Sequence, residues 1–276
     1  MKTRLSLNII IAFVLMFTIS SCKDEIVRDP SPIANPNSTN VYFSVKNSTS
    51  PVLALKQDTF KVMVIRKIKT TVQEVAITSE NVYGDKFSIP DKVVFPAGKD
   101  SVLINIVVKN LELMKKYKLA LQIDPEQTNP YVIQKVYPRL EFNLTKEDYA
   151  SYAEGTYTSD FFGGDWPQTL EYSPSTKLYR FKDLWATGYN VTFKWDEAAA
   201  PGVVNIQGTS TSAKDYIYLQ TGSVDPTYGM VTANYPTANL KYYNSTTKTF
   251  TFPIKWTVSA GSFGIDADIY VITKTY

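Results

Sequence analysis

The sequence of 276 residues lacks histidine altogether and contains a single cysteine, Cys22. Histidine is the side chain that most often transfers protons near neutral pH, partners a serine or cysteine nucleophile, and ligates transition metals. Its absence excludes a Ser-His-Asp hydrolase, a papain-like protease, and a zinc or copper site. Chemistry that needs only carboxylates, such as glycoside hydrolysis, remains open. One cysteine cannot form an intramolecular disulfide, so burial of apolar surface must stabilise the fold.

The chain also lacks a strong charge of either sign. It has 29 basic and 26 acidic residues, for a net charge of +3, and the basic residues are not clustered. A nucleic-acid-binding surface needs a basic patch, so we expect no nucleic-acid partner. The sequence contains neither a Walker-type phosphate loop nor a dinucleotide-binding fingerprint, and we predict no cofactor.

Long hydrophobic runs are scarce, and the one near the amino end covers Leu5–Ile19. It is shorter than the roughly 20 apolar residues that a membrane-spanning helix needs. The basic residues Lys2 and Arg4 precede it, and the small pair Ser20–Ser21 follows it. This order is typical of a cleaved signal peptide, so we expect residues 1–21 to direct export.

The residues around Cys22 carry a family resemblance. Ile19–Cys22 resembles a bacterial lipobox, and Cys22–Glu25 is similar to the export signal of Bacteroidota surface lipoproteins. The resemblance implies that Cys22 is acylated and holds the chain on the outer membrane, facing the medium. A periplasm-facing lipoprotein is the alternative. Several acyl chains anchor a protein essentially permanently, because each buried CH₂ contributes about 0.8 kcal/mol.

A proline-dotted polar segment follows and gives way to a first domain. Residues 22–40 have the composition of an unstructured tether, which would reach roughly 55 Å if extended at about 3.1 Å per residue. From residue 41 to 146, short segments alternate apolar and polar residues, as in Thr59–Arg66 and Ser101–Val108. Seven or eight such strands, separated by turn signals, predict a β-sandwich.

Part of this domain resembles a Calx-β module. Val93–Asp100 with Val102–Ile106 is similar to the Calx-β pattern of an apolar strand, a Pro/Gly turn and another strand, and Gly84–Phe87 is similar to the step before it. The resemblance covers residues 41–124. It implies the amino-terminal module of a Bacteroidota surface lipoprotein of unknown or glycan-related function.

Calcium-binding Calx-β members carry clustered acids at one end of the sandwich. Here the corresponding loops offer only Glu80, Asp85 and Asp91, which are scattered. Calcium needs six to eight oxygen ligands, so we predict no metal site.

A polar hinge at residues 145–153 precedes a second predicted all-β domain, 150–276, which is rich in aromatic residues. Its segments Tyr152–Tyr157 and Ala260–Gly264 resemble the carboxy-terminal β-modules of the same lipoproteins. Trp195 and Trp256 alternate with apolar residues and are predicted to lie in the core.

Trp166 is the leading binding candidate. It lies in Phe161–Gln168, which reads as a loop, and exposed aromatic rings on loops often bind ligands. Asp165 and Gln168 would bond sugar hydroxyls beside it. The alternative is that the Trp166 ring folds back onto the core. Trp185 lies in a similar segment and carries the same two interpretations.

Two tyrosines and two aspartates complete the candidates. Tyr216 and Tyr218 alternate with apolar residues, and we expect the tyrosines to face outward as binding residues. Asp266 and Asp268 flank Ala267 on one strand face. They are predicted to form a solvated face; a catalytic pair or a cation site is the alternative.

We therefore predict an all-β chain of two β-sandwich-like domains on a flexible, lipid-anchored tether. Its expected function is non-catalytic binding of a polysaccharide or oligosaccharide for nutrient uptake, with aromatic rings stacking on sugar faces. No catalytic residue is assigned. The alternatives are a structural or protein-interaction lipoprotein, either an adhesin or an accessory to an outer-membrane transporter, and a glycosidase.

Overall fold

A computed structural model describes residues 38, 40–128, 138–199, 202–211, 213–238 and 242–276. Cys22, the predicted signal peptide and most of the predicted tether lie outside the described residues. Strands dominate the described part, which contains two short 3₁₀ helices and no α-helix. It therefore holds no helix long and apolar enough to cross a membrane. The predicted all-β fold class is confirmed.

Nine strands form the amino-terminal sandwich. They are β1 (Val41–Phe43), β2 (Val52–Ala54), β3 (Thr59–Arg66), β4 (Gln73–Glu80), β5 (Phe87–Ser88), β6 (Lys92–Phe95), β7 (Ser101–Val108), β8 (Lys116–Ile123) and β9 (Arg139–Glu147), with 3₁₀ helices at Gly84–Lys86 and Pro125–Gln127. One sheet has the order β1-β3-β7-β5 and the other β2-β9-β8-β4-β6. All pairs are antiparallel except β2 with β9.

The sandwich core follows the period-two pattern of the sequence. In β3 the even-numbered residues Phe60, Val62 and Val64 are buried, and β7 presents Ile104 and Ile106 to the same core. Successive side chains of a strand point to opposite faces, so this alternation places one face of each sheet against the other.

Arg66 is a buried cation that binds backbone carbonyl groups. Its guanidinium donates hydrogen bonds to the carbonyl oxygens of Thr71 at 2.7 Å, Pro96 at 2.7 Å and Lys99 at 2.9 Å. The bonds to Pro96 and Lys99 hold the turn that connects β6 to β7, and the bond to Thr71 holds the connection between β3 and β4. Because a buried donor without a partner is costly, Arg66 and this turn stabilise each other.

Eleven strands form the carboxy-terminal unit. They are β10 (Ala150–Ser159), β11 (Gly164–Ser173), β12 (Leu178–Phe181), β13 (Val191–Trp195), β14 (Gly202–Gln207), β15 (Thr209–Ser210), β16 (Tyr216–Asp225), β17 (Gly229–Pro236), β18 (Tyr242–Asn244), β19 (Thr249–Val258) and β20 (Gly261–Thr275). The sheet runs β15-β16-β17-β19-β18-β14-β13-β12-β11-β10-β20, and β19 also pairs with β20. That last pairing closes the sheet into a barrel, whereas the sequence suggested a second sandwich-like domain.

Aromatic rings fill the barrel. Phe181 contacts Tyr270 at 4.7 Å and Phe193 at 5.4 Å between ring centroids, and Phe250 and Phe252 pack beside them. Edge-to-face and offset contacts of this kind add to the free energy gained from burial alone. Trp195 and Trp256, predicted to be core residues, are buried in this barrel.

A short connection joins the sandwich to the barrel, because β9 ends at Glu147 and β10 begins at Ala150. Arg180 of the barrel forms an ion pair with Glu147 at 2.6 Å, and its guanidinium stacks on the Tyr149 ring at 3.7 Å. The Asp148 carboxylate accepts a hydrogen bond from the Ser173 hydroxyl at 2.6 Å. The segment predicted as a polar hinge is thus mostly strand, and its connecting residues contact the barrel.

Candidate functional site

One end of the barrel is closed by five aromatic rings. They belong to Phe161, Phe162, Trp185, Trp256 and Phe263, and we call this set the aromatic end. Phe161 lies nearly parallel to Trp256, with centroids 4.5 Å apart, and also contacts Phe263 at 5.4 Å. Trp185 and Phe162 approach Trp256 edge-on at 5.5 and 5.3 Å. The rings come from four separate stretches of the chain.

Tight turns hold these rings in place. β10 and β11 are joined by residues 160–163, where the Gly163 N–H donates to the Asp160 carbonyl and Gly163 has a positive φ of 71°. A turn that requires this left-handed conformation favours glycine. The Trp185 loop is closed by the Asp183 carboxylate, which accepts a hydrogen bond from the Gly188 N–H at 2.6 Å.

Two exposed rings flank a concavity at the aromatic end. Its volume is about 270 Å³, and its lining includes Tyr228, Phe263, Gly261 and Ser262. Tyr228 is 47% exposed and Phe263 46% exposed, with ring centroids 6.4 Å apart. The Ser259 hydroxyl donates to the Tyr228 carbonyl, which ties the two hairpins together. Sequence reasoning missed this pair, because the rings are distant in the chain and meet only when β17 and β20 flank β19.

Asp268 lies buried inside the barrel. It is 0% exposed, and the Tyr157 hydroxyl donates to its Oδ2 atom at 2.9 Å. Its Oδ1 atom and the buried Tyr235 hydroxyl have no hydrogen-bond partner among the described residues. The predicted solvated face for Asp266 and Asp268 is therefore wrong, since Asp268 is fully enclosed and Asp266 is half-buried.

The inward orientation of Asp268 has a simple structural cause. Tyr270 and Ile272 of the same strand point into the barrel, and side chains two residues apart share a face. The register that pairs Tyr270 with Tyr157 therefore turns Asp268 inward. Ile265 lies on the opposite face of the strand from the two aspartates and is 56% exposed on the outside of the barrel.

Burial raises the pKa of Asp268 to about 7. The hydroxyl groups of Ser159 and Tyr157 favour the charged form, but the carboxylates of Asp266 and Asp160 act with burial to disfavour it. Burial and the Asp268 charge in turn raise the pKa of Tyr157 well above its usual range. At neutral pH the Asp268 population is divided between protonated and ionised forms, and Tyr157 stays neutral.

Trp166 lies on a strand and not on the loop that the sequence predicted. Its half-buried ring is 5.2 Å from that of Tyr157, so it packs against the barrel. The turn ends at Gly163, and β11 begins at the next residue. Asp165 is exposed and alternates with Trp166, which places it on the opposite face. The Gln168 side chain donates to the Lys182 carbonyl at 3.0 Å.

The remaining sequence candidates do not join Trp166. Trp185 belongs to the aromatic end. Tyr218 is 39% exposed and Tyr216 is half-buried beneath Lys255, whose Nζ lies 5.4 Å from the Tyr216 ring. No ring contact among the described residues links either tyrosine to Trp166 or to the aromatic end. The structure therefore does not bring the six candidate residues together in a single site.

A second aromatic cluster lies near the connection to the sandwich. Tyr152 and Tyr179 contact each other at 5.2 Å, and Trp195 packs against both. The Tyr179 hydroxyl donates to Glu197. Burial, followed by the nearby Glu197 carboxylate, raises the pKa of Tyr152 and Tyr179. Sequence reasoning did not single out this cluster, because its three rings are spread over three strands.

The described residues contain no group of three or more acidic or cysteine side chains placed to hold a metal ion. Glu80, one of the scattered acids of the Calx-β-like region, is instead paired with Arg139 through two contacts of 2.6 and 2.8 Å.

No protein-family model matches the chain, and no curated protein matches it. Among solved structures, a Bacteroides ovatus protein of unknown function shares 15% identity with a TM-score of 0.32, covering 85% of this chain and 93% of that one. The calcium-binding domain CBD12 of CALX1.1 shares 12% identity with a TM-score of 0.32, covering 85% and 76%. An auxiliary nutrient binding protein from Bacteroides thetaiotaomicron shares 9% identity with a TM-score of 0.30, covering 82% and 90%. At these values the likenesses assign neither a family nor an activity to this chain.

Proposed function

We propose that this chain is a lipid-anchored protein of the outer membrane, exposed at the cell surface, that binds a polysaccharide or oligosaccharide without cleaving it. The main observation in support is the pair of exposed rings, Tyr228 and Phe263, beside the concavity at the aromatic end. The anchor rests on the residues around Cys22. Nutrient uptake is the process that such a surface protein would serve.

The two rings suit the chemistry of sugars. A pyranose presents flat C–H faces that pack on aromatic rings, while its hydroxyl groups need polar partners. Ser262 and Gly261 line the same concavity. The Ser262 hydroxyl donates to the Trp256 carbonyl and accepts from the Gly264 N–H, so it keeps one lone pair to accept a hydrogen bond from a sugar hydroxyl. Behind the rings, the stack of Phe161 on Trp256 keeps Phe263 in position, so a ligand would meet a surface that is already ordered.

The test is a glycan array probed with soluble chain from residue 23 onward, alongside Tyr228→Ala and Phe263→Ala. Loss of one stacking ring is expected to weaken binding about tenfold, because stacking contributes about 1.4 kcal/mol. Tyr242→Ala is the matched control, since Tyr242 is an exposed ring on β18, outside the concavity.

Trp166→Ala tests the site that the sequence favoured. Binding that survives the Tyr228 and Phe263 changes but disappears with Trp166→Ala would move the site to β11. Failure of the unmodified chain to bind any plant, host or microbial polysaccharide would overturn the proposed function.

A protein-interaction role is the second candidate, as an adhesin or as an accessory to an outer-membrane transporter. One observation favours it: the outer face of β20 presents Phe263, Ile265, Ile269 and Val271, all more than a third exposed. Exposed apolar stripes of this kind often mark interaction surfaces. An Ile265→Lys variant that binds glycan normally but no longer supports adhesion or glycan-dependent growth would favour this candidate.

The non-catalytic assignment rests on the placement of the carboxylates. A glycosidase needs two carboxyl groups facing one glycosidic bond, and Asp268 is enclosed in the barrel while Asp266 is half-buried beside it. We expect no release of reducing sugar from any glycan that the chain binds. Sustained release by the unmodified chain that Asp266→Asn abolishes would overturn this assignment.

A further inference from the structure

A groove of about 710 Å³ opens on one side of the sandwich, between β6 of one sheet and β7 of the other. Its apolar lining includes Met63, Val94 and Leu103. Among the described residues, its one charged lining residue, Lys92 of β6, is paired with the Glu74 carboxylate at 3.1 Å. Pro90 and Pro96 also line it, on the connections that lead into β6 and away from it. The groove belongs to the sandwich and is therefore separate from the proposed glycan site on the barrel.

The open edge of β7 can be located from its hydrogen bonds. The Val108 N–H donates to the Asp58 carbonyl, and the Arg66 N–H donates to the Asp100 carbonyl. The even-numbered residues of β7 therefore bond to β3. In an antiparallel ladder, the N–H and C=O groups of successive residues point alternately to the two edges. The odd-numbered residues must therefore point away from β3.

Only the end of this second edge is covered, because β5 pairs with Val107 and Val108. Within the described part of the chain, the backbone groups of Ser101, Leu103 and Asn105 have no strand partner on this side. They form a row of three donors and three acceptors along the groove.

This edge lacks the usual protection against pairing. Natural sheets shield their edges with charged side chains, proline or bulges. Residues 101–106 are Ser-Val-Leu-Ile-Asn-Ile, without a charge or a proline. The pairing of β7 with β3 is also continuous, without a bulge. Leu103 and, across the groove, Val94 are each 49% exposed.

We propose that this groove receives an extended, uncharged polypeptide segment of a partner protein, which pairs with β7 and places apolar side chains at alternate positions into the groove. Strand addition of this kind obtains affinity from main-chain hydrogen bonds and specificity from alternate side chains. A second copy fits less well. Twofold pairing centred on Leu103 would set Val107 of the second copy opposite Lys99, in the turn that precedes β7. Because β5 is attached to Val107, it would obstruct the pairing there.

Amide hydrogen exchange tests the proposal without knowledge of the natural partner. The probe is a seven-residue peptide of alternating threonine and valine, added to soluble chain from residue 23 onward. In the free chain, the amides of Ser101, Leu103 and Asn105 should exchange rapidly, while those of Val102 and Ile104 are protected. The peptide should slow the first three at least tenfold. The same peptide with alternate amides N-methylated is the control, and it should protect none.

Proline substitutions provide matched variants. Leu103→Pro removes an N–H that points to the open edge, so the chain should fold and lose peptide binding. Ile104→Pro removes a bond to β3 and should disrupt the sandwich. Leu103→Lys serves if Leu103→Pro does not fold, because a charged edge residue should also prevent pairing.

Three results would overturn the proposal. The first is slow exchange of the three amides in free monomeric chain, and the second is equal protection by the N-methylated peptide. The third is protection that rises with protein concentration in the absence of peptide, which would assign the edge to a second copy of the chain.

Discussion

Replacing Asp268 by asparagine should remove a pH-dependent loss of stability from the barrel. The Asp268 carboxyl group is enclosed beside Tyr157, and burial raises its pKa to about 7 from the usual 3.8. Below pH 3.8 both the folded and the unfolded chain hold the proton. Between the two values the unfolded chain releases it and the folded chain keeps it. The free energy of unfolding therefore falls as the pH rises, and levels off above about pH 7.

The size of this effect follows from the difference of about three pH units between the two pKa values. Each unit corresponds to about 1.36 kcal/mol, so ionisation of Asp268 should cost the folded chain about 4 kcal/mol above neutral pH. The asparagine side chain that replaces it cannot ionise. The free energy of unfolding of Asp268→Asn, relative to the unmodified chain, should rise by about that amount between about pH 4 and pH 8. Contributions from other titrating groups largely cancel in this comparison.

Denaturant unfolding followed by tryptophan fluorescence is the suitable assay. The sequence has four tryptophans, and Trp166, Trp185, Trp195 and Trp256 all belong to the barrel. The signal therefore reports on barrel unfolding alone. Asp266→Asn is the control, because it removes a neighbouring half-buried carboxylate and should keep most of the pH dependence. Parallel curves for Asp268→Asn and the unmodified chain from about pH 4 to 8 would refute the reasoning.

Two further predictions concern the sandwich and the turn at the aromatic end. Arg66→Met should destabilise the sandwich by about 3 kcal/mol, because it removes the hydrogen bonds that a buried guanidinium donates to the carbonyls of Thr71, Pro96 and Lys99. Hydrogen exchange of the β3 amides measures this loss, and a change below about 1 kcal/mol would contradict the prediction. Gly163→Ala should lower the free energy of unfolding of the barrel by about 1 kcal/mol, because φ is positive at this position. Gly164→Ala has equal space for a methyl group and should leave the free energy of unfolding nearly unchanged. The same fluorescence assay measures both variants. Equal costs for the two alanine variants would rule out the conformational explanation.

Local structure could be predicted from the chain alone. Alternation of apolar and polar residues correctly predicted strands such as β3 and β7, and the burial of Trp195 and Trp256, because a period of two places alternate side chains on one face. The Pro96–Gly98 turn signal was equally local. These features depend on neighbouring residues, so they can be read directly from the chain.

Long-range strand pairing was needed to establish which face of each strand is inside and where the sheet closes. The alternation in β20 is consistent with either face, and the pairing of Tyr270 with Tyr157 settled it by turning Asp268 inward and Ile265 outward. A shift of one residue reverses every side chain of a strand, and register depends on partners distant in sequence. The meeting of Tyr228 with Phe263 and the open edge of β7 have the same origin, since both follow from which strands pair and where that pairing ends.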